Sequence, residues 1–378
     1  MACRHKLPGS KQFAAGMKDL GLELDVNKNP AIFDTLAALK VANVVGRGAA
    51  ALAEVDRVVA LESGLAFVVK VPHPTRSTAL RCLAVKTKFP ENRSTLGHVV
   101  ATRSQAAGLD PVGAVIYTEA AMGDASATQY KVSLRSTGGF DVSVVAKGLG
   151  GGGHAGAASC CVPVAAVDGW RDDDAFSIRG FADEDLDAVL EACLKTGDAG
   201  ADASPKFPNH PKLLGMRWAA PYCKLGTELA FVLEDPQGVC GYVLGALDSK
   251  LFYEKARGFL QAAARAYPEP PPASKGRWGL EEELAHEIHH PTMYLPDALY
   301  AAYPSHLHID ISPRAQGRRL GGKMMGVLLQ KLREAGSAGV HLEMAPENAR
   351  ALRFYGKLGF QKLESPAGTL YLGLNLSI

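Results

Sequence analysis

From His306 to Ile311 apolar and polar residues alternate: Leu307, Ile309 and Ile311 fall on one side of an extended chain, His306, His308 and Asp310 on the other. This predicts a strand with one polar face. It runs into Ser312-Pro313-Arg314-Ala315-Gln316-Gly317-Arg318-Arg319-Leu320-Gly321-Gly322, a turn that leads into a helix with the apolar stripe Leu320, Met324, Leu328 and Leu332. Such a turn presents successive backbone N–H groups at a helix start, where the dipole and the unpaired donors favour an anion such as a pyrophosphate. Glycine lets the phosphate approach the backbone, and Arg314, Arg318 and Arg319 add charged donors. A turn that merely joins a strand to a surface helix has the same composition, so this segment by itself leaves both readings open.

A second strand, Val340 to Met344, follows, and then a helix through Pro346-Glu347-Asn348-Ala349-Arg350-Ala351-Leu352-Arg353-Phe354-Tyr355 that ends at Leu358-Gly359-Phe360, with Gly359 suited to a C-terminal cap. The ordered series HIDISP, QGRRLG, helix, strand and NARALRFYGKLGF resembles the cofactor-binding core of the GNAT acetyltransferase superfamily. The resemblance implies acetyl-CoA as acyl donor, a pyrophosphate loop on Gln316, Gly317, Arg318, Arg319, Leu320 and Gly321, and a cofactor contact at Ile311. It implies further that Asn348 meets the pantetheine arm and that Tyr355 protonates the departing thiolate. As residues alone, Tyr355 equally fits a core aromatic beside Leu352 and Leu358. A glycine usual in the family's loop is Arg319 here, which is tolerated if that residue keeps a negative φ. An amine acceptor must lose a proton before it attacks a thioester; His308 and Asp310 are candidate bases, with Glu343 a third, and each also fits a structural polar role. Over Phe176 to Ile378 the chain is similar to the acetyltransferase-like domain attached to some O-GlcNAcases, through Leu194-Lys195-Thr196-Gly197-Asp198-Ala199-Gly200, Ala220-Pro221-Tyr222 and His306 to Asp310. That similarity speaks for fold and ligand before catalysis.

Upstream, Val132-Ser133-Leu134-Arg135-Ser136, Phe140 to Ala146 and Gly150-Gly151-Gly152-Gly153-His154-Ala155-Gly156 resemble the DHH-associated substrate domain of the DHH phosphoesterases, over about Leu7 to Pro163. Arg135, Gly152, Gly153 and His154 would hold a phosphate, nucleotide or nucleic-acid end: glycines let amides crowd an anion, and the two side chains supply donors. A glycine-permitted turn with a bystander His154 is the alternative. The metal-binding half of that family, with its aspartates and DHH triplet, has no counterpart here, so no phosphodiesterase chemistry is expected. The remnant then binds such a ligand, serves as structure only, or belongs to a truncated gene product.

At 378 residues the length favours two domains. The expected architecture is α/β (α+β): a linker-like helical segment over 1–45, a DHH-associated-like domain over 46–168, a connector over 169–175, and over 176–378 a GNAT fold with a mixed, mostly antiparallel sheet flanked by helices. Ala66 to Val71 and Val142 to Ala146 read as strands; Phe33 to Lys40, Arg47 to Ala60 and Asp183 to Leu194 read as helices; Leu229 to Leu233 and Val239 to Leu244 read as a hairpin. Lys and Arg number 41 against 39 Asp and Glu, so no global charge draws the chain to nucleic acid or membrane. Seven cysteines without a CxxC pair, and no long apolar run or secretory leader, point to the cytoplasm, with organelle targeting left open. His286-Glu287-Ile288-His289-His290 matches the zincin HExxH pattern, but Pro291 ends the helix and no third ligand stands downstream, so no metal is expected. The expected activity is acetyl-CoA-dependent N-acetyl transfer to an amine of a small molecule or protein; the alternative is a non-catalytic phosphate, nucleotide or nucleic-acid binding protein built from a degenerate phosphoesterase substrate domain and a pseudo-acetyltransferase.

Overall fold

A computed structural model describes residues 8–22, 25, 28–121, 124–291, 297–363 and 370–377. The chain divides into two compact units, Met1–Asp172 and Asp173–Ile378.

In the first unit, helices at Ser10–Asp19, Ile32–Ala38 and Val41–Ser63 precede a six-stranded sheet. Its strands are β1 (Phe67–Val71), β2 (Leu80–Lys86), β3 (Val112–Ala121), β4 (Asp124–Ser136), β5 (Gly152–His154) and β6 (Ala157–Pro163), in the order β1-β2-β3-β4-β6-β5. The β2–β3 pair is parallel and the other pairs antiparallel. A parallel neighbour requires a crossover, which the Arg93–Ala106 helix supplies. That helix lies close on β3 because residue 113 is glycine: a Cβ there would stand 2.3 Å from the Gly97 carbonyl oxygen.

One expected strand is a helix instead. Val142 to Ala146 forms the start of a Val142–Gly148 helix, whose N-cap Asp141 accepts a hydrogen bond from the Ser143 amide at 2.8 Å. The β-branched run read as extended, but Val142, Val145 and Ala146 recur at helical spacing and are all buried against the sheet, so tertiary packing overrode propensity.

The second unit has a seven-stranded sheet of β7 (Ser177–Gly180), β8 (Ala230–Asp235), β9 (Gly238–Ala246), β10 (Ser305–Ile311), β11 (Gly339–Met344), β12 (Gln361–Lys362) and β13 (Leu370–Asn375). The order is β12-β13-β11-β10-β9-β8-β7. Only β10–β11 is parallel, with the Leu320–Glu334 helix as its crossover. On one face Leu307, Val340 and Leu342 pack against Met324, Leu328 and Leu332 of that helix. The other face buries Val232, Tyr242 and Leu244 against the Leu186–Leu194, Ala220–Leu225 and Ser249–Ala263 helices. The polar face of β10 therefore lies on the side those helices cover; His306 is 3% exposed, whereas His308 and Asp310 are half-buried. The six described cysteines are all unpaired.

Candidate active site

The parallel pairing of β10 and β11 stops early. It comprises Ser305 with Val340 and His306 with His341, whereas β10 stays paired to β9 as far as Ile311 and β11 to β13 as far as Met344. Beyond His306 the two strands part. A cavity of about 430 Å³ occupies this region, lined by His308 and Asp310 of β10, Glu343 of β11, Thr196, Asn348 and Tyr355.

The carboxylate of Asp310 is the centre of this wall. Its cross-strand partner on β9 is Tyr242, whose hydroxyl donates to Asp310 Oδ2 at 2.5 Å and lies 3.4 Å from His308 Nδ1. His308 Nε2 stands 3.6 Å from the same carboxylate oxygen. Burial pushes the Asp310 pKa up, and the nearby His308 and the Tyr242 and Thr196 hydrogen bonds offset only part of that. A carboxylate so placed is a stronger base than one in water. Tyr242 was absent from the residues singled out in the sequence, where it reads as one more member of an apolar run. Tyr355 is 8% exposed, packs against Phe354 and Phe360, and lines the cavity; burial first, then the Asp310 charge, raises its pKa, so its phenol stays protonated at neutral pH. The core-aromatic and cavity-facing descriptions of Tyr355 both apply.

Asn348 is the N-cap of the Ala349–Lys357 helix, which begins later than the expected Pro346; its Oδ1 accepts from the Ala351 amide at 3.0 Å. Asn348 also lines the cavity. Gly359, with φ 91, lies just past the end of this helix, as the sequence suggested. Glu343 is exposed and accepts from the Tyr371 hydroxyl at 3.0 Å.

The loop after β10 is braced by its own side chains. Gln316 Nε2 donates to the Ile311 carbonyl at 2.7 Å, while its Oε1 accepts from Arg350 at 2.6 Å. Both Gln316 and Ile311 thus set the loop's shape with the groups expected to meet cofactor. Gly317 has φ 74, Leu320 is buried at the helix start, and Gly321 lies within 3.2 Å of the Phe354 ring when a Cβ is placed on it. Among the described residues the backbone N–H groups of Gly317, Arg319, Leu320 and Gly321 have no acceptor. These are the donors an anion would use.

Two of the three arginines are committed elsewhere. Arg314 donates to Asp235 at 3.1 Å and to the Gly238 and Val239 carbonyls. Arg318 is buried, donates to Asp173 at 2.7 Å and lies over the Phe176 ring at 5.2 Å, so its side chain anchors the loop rather than facing a phosphate. Only Arg319 is exposed, and the condition set for it fails: its φ is +59, left-handed, as N-cap of the Leu320–Glu334 helix. A side chain in that conformation costs about 1 kcal/mol relative to glycine. Arg319→Gly is therefore expected to raise the unfolding free energy of the second unit by about 1 kcal/mol in urea titrations; a loss of stability would show that the side chain supplies compensating contacts.

In the first unit, Arg135, Ala157 and His154 stand abreast on β4, β6 and β5, so all three face the same way. Arg135 donates to Ser133 Oγ and the Leu134 carbonyl, each at 2.9 Å; burial and then the neighbouring charge of Arg93 push its pKa down. Gly153 has φ 143, and a Cβ on it would stand 2.5 Å from Ala158 Cα, so this glycine is required by the β5–β6 contact itself. Gly152 has open space at its Cβ position.

In the HExxH segment, Glu287 accepts from Arg217 at 2.8 Å and is not placed as the base of a zinc protease.

Both units are similar to known proteins. The family model described as "Acetyltransferase (GNAT) family" matches residues 293–360, and the one described as "DHHA1 domain" matches 85–172. Protein O-GlcNAcase of Rattus norvegicus and that of Mus musculus are each 29% identical over 206 residues, which is 53% of this chain and 22% of theirs. The chain thus spans 22% of the length of these curated relatives. The crystal structure of SsHAT is 39% identical, matching 54% of this chain and 100% of that one with a TM-score of 0.49. The chain joins a DHHA1 domain in its N-terminal half to a C-terminal domain of the GNAT acetyltransferase family.

Proposed function

We propose that the C-terminal domain binds acetyl-CoA and transfers its acetyl group to an amine. The observation that carries this is the parting of β10 and β11 over a cavity that holds Asp310, His308, Asn348 and Tyr355, beside a loop with unspent N–H donors. An extended chain with amide groups fits there, because β10 beyond His306 keeps an unpaired edge on the β11 side. Asn348 would meet those amides, and the Gly317 to Gly321 N–H groups would take the pyrophosphate. Asp310 accepts the proton of the acceptor ammonium, directly or through one water, with His308 as neighbour. The freed nitrogen attacks the thioester carbonyl and forms the C–N bond, the C–S bond breaks as the adduct collapses, Tyr355 gives its proton to the departing thiolate, and the second proton shed by the nitrogen as the amide forms restores the phenol, directly or through water. The six unpaired cysteines favour a reducing compartment such as the cytoplasm.

Calorimetric titration with acetyl-CoA tests the binding step. The full chain should bind, and Gly317→Val should weaken binding at least tenfold, since a β-branched residue resists the left-handed φ of 74 that presents the loop. No binding to the unmutated chain would remove the proposal.

A second reading concerns the first unit. The neighbouring guanidinium charges of Arg135 and Arg93, with His154 on the Arg135 side of the sheet, suit a phosphate-bearing ligand such as a nucleotide or nucleic-acid end. His154→Ala should then weaken binding of a short oligonucleotide several-fold in fluorescence anisotropy. Failure of the unmutated chain to bind mono- or oligonucleotides would dismiss this reading.

A further inference from the structure

His286 and His290 stand one turn apart at the end of the Leu280–His289 helix, so their side chains project from the same face. The carboxylate of Glu269, from the chain before that helix, lies between them. Its Oε1 is 3.1 Å from His286 Nδ1 and 2.7 Å from His290 Nε2. The donor atoms of the three residues all lie within 4.8 Å of one another. A zinc ion with bonds of about 2.0–2.1 Å in tetrahedral geometry sets its donors about 3.3–3.4 Å apart. The two spacings to Glu269 would open by about 0.2–0.7 Å to admit it, and the two histidine donors, within 4.8 Å of each other, would settle at the same separation.

The arrangement is held by contacts outside the three residues. His289 Nε2 meets the Tyr267 carbonyl at 2.8 Å, pinning the chain two residues before Glu269 to the helix. The Trp278 ring lies 5.1 Å from the His286 ring, and its indole N–H donates to Ser274 Oγ at 3.0 Å. The sequence showed no third ligand downstream of the histidine pair; the third ligand, the carboxylate of Glu269, stands upstream, beyond the proline-rich stretch.

We infer that Glu269, His286 and His290 form a binding site for a divalent transition ion, of which zinc suits two imidazoles and one carboxylate with a water in the fourth position. The site is not hydrolytic. Its HExxH glutamate, Glu287, is held by Arg217 instead of a metal-bound water. An ion there ties the Pro268 to Ser274 segment to the helix that follows, where Glu269 and His290 are now joined by a hydrogen bond alone. Nothing in this site draws on the acetyl-CoA proposal, and the two stand or fall separately.

The test is a zinc titration of the metal-stripped full chain by calorimetry. One site per chain should saturate, and Glu269→Gln and His290→Ala should each weaken it at least tenfold. His98→Ala, an exposed histidine of the first unit, should leave it unchanged. Copper should quench tryptophan fluorescence in the unmutated chain through Trp278, and the quenching should vanish in His290→Ala. Wild-type zinc affinity in either ligand variant, or binding no tighter than millimolar in the unmutated chain, would overturn the inference. Circular dichroism of both variants separates lost ligation from lost folding, because all three side chains are exposed or half-buried.

Discussion

Tyr355→Phe is expected to slow acetyl transfer by about two orders of magnitude or more while changing acetyl-CoA affinity little. The substitution removes one oxygen from a ring that packs between Phe354 and Phe360, so the helix and its hydrophobic contacts stay in place. What is lost is the proton for the departing thiolate, and with it only an interaction made as the C–S bond breaks. Release of thiol from acetyl-CoA with a panel of primary amines measures the rate, and calorimetry measures the affinity. A Phe variant that turns over at the wild-type rate would take Tyr355 out of the chemistry and leave it a core aromatic. Asp310→Asn gives the complementary result: the rise of rate with pH that follows ionisation of a carboxylate with raised pKa should disappear.

The second large effect is a loss of stability in mild acid. His306 and His341 are both buried, with ring centroids 5.6 Å apart. His306 Nδ1 meets Ser249 Oγ at 2.7 Å, and His341 Nδ1 meets the Tyr303 carbonyl at 2.8 Å. Burial pushes the His341 pKa down to about 4; burial, then the charges of His341 and His308, holds His306 well below 6.5. The unfolded chain takes up protons from about pH 6.5 downward while the folded unit refuses them. Stability is therefore level above that pH and falls as the pH drops toward 4, by about 1.4 kcal/mol per pH unit for each such histidine. Amide hydrogen exchange in β10 and β11, corrected for intrinsic rate, should show protection falling across this window. A His341→Phe variant should lose less than the unmutated chain over the same interval. Equal losses would assign the acid sensitivity to other groups.

What could be read from sequence was local. The alternation of β10, the glycine and arginine turn and the stop at Gly359 lie within one contiguous stretch, where spacing translates directly into geometry. Tyr242 could not be found that way. It reaches Asp310 only through the β9–β10 register, and a hydroxyl in an apolar strand looks like core until its cross-strand partner is known. Arg318 illustrates the opposite error. Its composition suggested a phosphate donor, but Asp173, far away in sequence, claims it. The Val142 helix was missed because β-branched residues favour a strand and the buried face that outweighs them is a property of the sheet beneath. Glu269 is not legible in the HExxH pattern, because it meets His286 and His290 from 17 and 21 residues before them, through a fold of the chain that spacing does not reveal.

The parting of β10 from β11 has a consequence for how this protein keeps its own company. Edges at the outside of a sheet are usually shielded by charge, twist or a covering loop, but the edge here lies in the middle of seven strands and borders a cavity. The polar side chains it carries, His308 and Asp310, line that cavity. The strands on either side are each held by an outer neighbour, β9 and β13, so the gap between them has fixed walls and is an edge the protein keeps open without leaving it at the rim of the sheet.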